Sequence, residues 1–190
     1  DEAAEARLYL RHNRDRLVVS ALDRHKAEAV GQEPRAVEID EVLEANGLIA
    51  GTAQVGELRP FRSISKAERV YDEGGADLVA RVLRLLEEGL PGDSQRFRGT
   101  LVGGLGIFLA RDPWGADDKR VLAALRRTSG AKLDEKMRYV QSLVGKPTSG
   151  SPVHMARAIA IVVYRERGIE WKPQQRAPHV QPPDKRGEDE

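Results

Sequence analysis

Apolar residues recur at helical spacing along almost the whole chain, and no other feature restricts its fold as much. Leu78, Val79, Val82, Leu83, Leu85 and Leu86 form one broad apolar face. Leu101, Val102, Leu105, Ile107, Phe108 and Leu109 form a second. Ala156, Ile159, Ala160, Val162, Val163 and Tyr164 form a third, the most hydrophobic of all. Faces this wide must be covered by other helices, and the third is expected at the centre of a bundle. The spacing predicts helices over 66–73, 76–89, 94–111, 118–128, 131–144 and 152–167. Asp77, Asp117 and Asp118 fall at helix starts, where the helix dipole favours negative charge.

The first third of the chain is more punctuated. Residues 3–10 read as the end of a short helix, which the polar run from Arg11 to Arg16 interrupts. Ser20 can cap a helix over 20–30, with Asp23 in its first turn and Gly31 as its stop. Pro34 suits the start of a helix over 35–46, and Asn46-Gly47 suits its end. Residues 48–53 and 58–64 are the only β-like runs, and a small hairpin is expected there, with Pro60 confining the second run to an edge. After Trp171 the chain turns rich in Pro, Gln and charge, the composition of a disordered or surface-wrapping tail. The fold class that follows is all-α: a helix-turn-helix-like unit with a small β-hairpin over 1–65, then a helical bundle over 66–168, then a tail over 169–190.

Searching these elements for chemistry removes most enzyme classes. There is no cysteine, so disulfides, thiolate zinc sites and thiol nucleophiles are out. Gly145-Lys146 is followed by Pro147, and Val140 stands where a phosphate loop needs glycine. The glycines at 99, 103, 104 and 106 follow no strand and lack dinucleotide-fingerprint spacing; they read as small residues for close helix packing. The four histidines, at 12, 25, 154 and 179, lie far apart in sequence and none shares a helical HExxH pattern. His12 and His25 are expected to be solvated or to face phosphate, and His154 to pack or cap. No metal, cofactor or catalytic residue is expected. No stretch approaches the roughly 18 apolar residues that span a membrane, and a cytoplasmic location is the expectation.

The charge layout carries more. Lys plus Arg number 31 and Asp plus Glu 30, so the net charge of +1 says little. Residues 7–26 are locally basic, with Arg7, Arg11, Arg14, Arg16, Arg24 and Lys26 beside His12 and His25. A second basic region holds Lys119, Arg120, Arg126, Arg127, Lys132, Lys136 and Arg138. The helix between them is acidic, with Glu38, Asp40, Glu41 and Glu44 against Arg35 alone. The two helices over 20–46 have helix-turn-helix lengths, yet an acidic second helix repels phosphate. A DNA-facing unit and a packed αα-hairpin both remain open. Candidate duplex DNA contacts are Arg11, His12, Arg14, Arg16, Arg24 and Lys26, with Arg59 and Arg62 on the hairpin and Arg126 and Arg127 further on.

The run from Leu8 to Gly31, with Asn13 and the basic stretch before Ser20, Asp23 and Arg24, resembles the segment that follows the amino-terminal domain of ParB-like proteins of actinobacteria and their phages. The similarity extends through Asn46-Gly47-Leu48-Ile49, the run at 69–83 and the run at 97–111, and covers about residues 1–167. It implies a helical region associated with DNA or with other proteins. That family's Gly-x-His-Arg motif is absent, so no catalytic residue carries over. The chain begins at Asp1 rather than Met, which reads as a fragment whose catalytic part would lie upstream. Two functions are therefore expected: non-catalytic DNA association through the basic segments, or a protein-interaction module, self-associating into a homo-oligomer. In the second, the glycine-punctuated 97–111 helix and the acidic 35–46 face would be the contact surfaces.

Overall fold

The computed structural model describes residues 2–13, 19–111, 117–144 and 151–165. Among these the chain is helical apart from one two-stranded sheet. The predicted tail over 169–190 lies outside the described residues, as do Arg14 and Arg16. No helix of the described residues is long and apolar enough to cross a membrane.

Helix α1 (Glu2–Asn13) runs further than its weak apolar pattern predicts and lies against α2 (Ala21–Val30). Ser20 caps α2 as expected, its hydroxyl accepting from the Asp23 amide at 3.1 Å. The turn that follows is tight. Gly31 closes α2 with ordinary right-handed angles, and the left-handed residue is Gln32. Pro34 occupies the first turn of α3 (Pro34–Ala45), and the chain leaves the helix through Asn46 and Gly47.

Both β-like runs form strands, β1 (Leu48–Ala50) and β2 (Arg59–Phe61). They pair in parallel, Leu48 opposite Arg59 and Ala50 opposite Phe61, and not antiparallel as in the expected hairpin. Parallel neighbours usually need a long crossover. Here each strand is only about 10 Å long, so residues 51–58 suffice to carry the chain back to its starting end. A local turn closed by Val55 and Leu58 reverses it on the way.

Helix α4 (Ile64–Gly89) is broken where two helices are predicted to meet. Gly74 (φ −165°, ψ 22°) and Gly75 (φ 69°, ψ −169°) leave helical geometry. The Gly75 angles belong to a region that side-chain-bearing residues almost never occupy. Gly75→Ala is therefore expected to cost about 1–3 kcal/mol, read as a lower urea midpoint. Gly92→Ala is the control: it lies in a loop, a Cβ there meets open space, and it should be near neutral.

Helix α5 (Gly99–Arg111) starts later than the predicted 94, because residues 91–98 form turns in which the Asp93 carboxylate accepts from the Gln95 amide at 2.8 Å. Helices α6 (Asp118–Arg126), α7 (Gly130–Val144) and α8 (Pro152–Arg165) follow. Asp117 caps α6, accepting from the Lys119 amide at 3.0 Å. The predicted central helix, α8, packs on α5, α6 and α7, and α5 lies between α4 and α8. The glycines of α5 make that position available: a Cβ on Gly106 would meet Val70, and one on Gly104 would meet Met155. This agrees with the close-packing reading of those glycines, and they face inward instead of offering a contact surface. One apolar core runs from Leu43, Leu48 and Phe61 through Leu86 and Leu105 to Ile159.

Candidate interaction surface

Of the basic residues of the first region whose side chains the structure describes, Arg24 and His25 join helices and Lys26 stays exposed. Arg24 on α2 reaches α4, where its guanidinium meets the Glu68 carboxylate at 2.6 Å and, more loosely, Glu28 at 3.6 Å. Glu68 is almost fully buried, and one of its oxygens has no hydrogen-bond partner among the described residues. Arg35 continues the network to Glu28 at 3.3 Å and Asp72 at 3.5 Å. Tyr71 donates to Glu38 at 2.8 Å, and the carboxylate as acceptor raises the phenol above its ordinary range.

His25 is the clearest departure from expectation. It is neither solvated nor turned to phosphate: it is fully buried, with Nε2 2.8 Å from an Asp40 carboxylate oxygen. Its spacing from the apolar positions of α2 puts it on the face covered by α3, and that spacing is the signal a sequence reading could have used. His154 is buried as a packing residue, and loss of solvation, with Arg157 nearby, holds its pKa below the ordinary imidazole value.

Arg59 and Arg62 also act within the fold. Arg59 joins Glu87 at 3.1 Å, and Arg96 joins the same carboxylate at 2.8 Å. Both guanidinium groups sit over the Phe97 ring, at 5.8 and 5.3 Å from its centroid. Phe97 in turn stands edge-on to Phe61, with centroids 6.2 Å apart. Arg62 is exposed and donates to the Thr52 carbonyl at 3.0 Å. The hydrogen bond from Arg96 above all, with that from Arg59, holds the Glu87 carboxyl below its ordinary range against the effect of partial burial. A depressed carboxylate stabilises above its unfolded pKa and loses that contribution as pH falls through its folded one. Glu87→Gln should therefore lower the stability at neutral pH by less than about 1 kcal/mol for so exposed a pair, read as a slightly lower melting temperature. Melts at stepped pH should show the gap to wild type closing below the ordinary carboxylate range.

The second basic region is divided. Arg126 reaches the Glu88 carboxylate at 3.8 Å and its carbonyl at 3.2 Å. Arg127 ends α6 and is exposed. Asp118 receives Arg81 at 2.7 Å and also Arg84, fastening α6 to the second half of α4. Arg24, by contrast, fastens α2 to the first half, so the two basic regions attach at opposite ends of one helix. Arg11 and His12 lie in α1, and their side chains, like all of Arg14 and Arg16, fall outside what the structure describes.

What stays outward is different in kind. Lys26 is exposed on α2. The outer face of α3 presents Glu41 and Glu44, both exposed, in line with Glu33 just before the helix. On α7, Leu133, Met137 and Val140 enter the core. Lys132, Lys136, Tyr139 and Leu143 follow an i, i+4, i+7, i+11 line about 100° around the helix from that core stripe, with Lys136 half-buried and the other three exposed. Tyr139 is 57% exposed and Leu143 39%. This pair was missed at the level of sequence. The signal was there: an apolar pair out of phase with the core stripe of its own helix. No family model matches the chain, and neither a curated protein nor a solved structure does.

Proposed function

We propose that the chain is a helical binding module that engages a protein partner through the outer face of α7. The observation that carries this reading is the exposed Tyr139–Leu143 pair beside Lys132 and Lys136. An exposed tyrosine beside a large aliphatic group suits a protein interface, in which tyrosine is enriched, and the two lysines, a type depleted at interface centres, suit its polar rim. The acidic outer face of α3 supports the same reading, since it suits a basic partner surface and repels phosphate.

DNA association, as the resemblance to ParB-like proteins implies, is the second reading. It is favoured by the exposed Lys26 on the first helix of a helix-turn-helix-like pair, with exposed Arg62 after β2 and Lys132 and Arg138 on α7. It draws less support from Arg24, Arg59 and Arg126, which are engaged by carboxylates. A cytoplasmic location belongs to both readings.

Photo-crosslinking in cells that make the chain separates the two. A benzophenone side chain replacing Tyr139 should yield discrete protein–protein adducts, lost when Lys132 and Lys136 are reversed to glutamate. The same group replacing Val55, an equally exposed loop residue, should yield none. Absence of adducts at position 139, together with salt-dependent retention on duplex DNA, would replace the first reading with the second.

A further inference from the structure

Resting on the α7 reading, we infer that the partner is a second copy of this chain, whose α3 lies antiparallel along the α7 face. Two outward lines match in charge order, and the stretch from Lys132 to Tyr139 spans seven residues, as does that from Glu44 to Val37. On α7, Lys132 and Lys136 form a cationic half and Tyr139 and Leu143 an apolar half. On α3, Glu44 and Glu41 form an acidic half, followed by the half-buried Val37; beyond the turn stands Val30, 42% exposed at the end of α2. Each of these stretches covers about 10 Å at 1.5 Å per residue. Laid antiparallel, Glu44 meets Lys132 and Glu41 meets Lys136. Val37 then faces Tyr139.

Neither half is used within one chain. Glu41, Glu44, Lys132 and Lys136 enter no ion pair among the described residues, whereas most of the arginines do. The reverse orientation would set Glu41 and Glu44 against Tyr139 and Leu143, leaving the charges unpaired and the apolar pair covered by carboxylates. A phosphate backbone would match Lys132 and Lys136 but offers no apolar counterpart to Tyr139, as Val37 does.

The two contacting surfaces differ, so the contact is head-to-tail and need not close at a dimer. An interface one helix wide falls at the small, transient end of the range, below about 1,200 Å². Association should therefore be weak, reversible and weakened by salt.

Sedimentation velocity from micromolar to millimolar protein tests this with two charge-reversal variants. One carries Lys132→Glu and Lys136→Glu, the other Glu41→Lys and Glu44→Lys. Three of the four positions are exposed and Lys136 is half-buried, and unchanged circular dichroism melts establish that each variant folds. Wild type should show a sedimentation coefficient that rises with concentration and falls back in salt. Each variant alone should stay monomeric. An equimolar mixture of the two should associate again, because both of its contacts pair opposite charges. A wild-type chain that remains monomeric overturns the inference, and so does a mixture that fails to recover. If adducts from position 139 then contain a different protein, the binding-module reading survives and only the identity of the partner is wrong. If duplex DNA alone shifts the sedimenting species, both fail.

Discussion

Gly106→Ala is expected to destabilise the chain by about 1–3 kcal/mol, the range of an overpacked core, although alanine is the better helix former by about 1 kcal/mol. The added Cβ would sit 2.3 Å from one methyl carbon of Val70 and 3.2 Å from the other. Valine in a helix is held to one dominant side-chain rotamer, so it cannot swing aside. Either α4 or α5 must move, and α5 is backed by α8 on its other side. At Gly104 the added carbon would lie 2.6 Å from Met155 Cβ, which is fixed, and 3.1 Å from the Ala156 amide nitrogen. Urea denaturation should show a lower midpoint for each variant. Adding Val70→Ala to Gly106→Ala removes the clashing methyls and should recover part of the loss. Gly106→Ala at wild-type stability would mean that α4 and α5 are further apart than described.

Arg24→Ala is expected to cost about 3 kcal/mol, the lower end for breaking a pair whose other member is buried. Glu68 would keep its charge in the α2–α4 interface with neither carboxylate oxygen hydrogen-bonded among the described residues. Glu68→Gln in the same background removes the stranded charge and should restore part of the stability. Lys26→Ala, two residues along the same helix and exposed, should leave the stability within about 0.5 kcal/mol of wild type. This pair of results separates structural from functional cations. An Arg24→Ala chain as stable as wild type would free Arg24 for a role outside the fold.

Much of the fold was legible because it rests on local rules. The wide apolar faces of α4, α5 and α8, the Ser20 and Asp117 caps, and the break at Gly74-Gly75 each follow from a few neighbouring residues. What escaped depends on which elements meet. The parallel pairing of β1 and β2 brings Ala50 beside Phe61, which is buried in the core, and no local pattern encodes that pairing. His25 looked free because its partner Asp40 lies on another helix. The basic stretches misled for the same reason. Arg24, Arg59 and Arg126 are cations whose carboxylates are 44, 28 and 38 residues away. Charge counted along the chain could not tell these from Lys26, which stays in solvent. On α7 the outward apolar pair was readable in principle, but only after Leu133, Met137 and Val140 had been identified as its inward side.

The central claim is that this chain binds protein through α7, and a parallel anisotropy titration tests it most directly. Fluorescently labelled chain is titrated with unlabelled chain and, separately, with duplex DNA, at low and moderate salt. The account predicts a rise with unlabelled chain that Tyr139→Ser with Leu143→Ser removes. A saturating rise with duplex DNA alone, untouched by that double substitution, would contradict it.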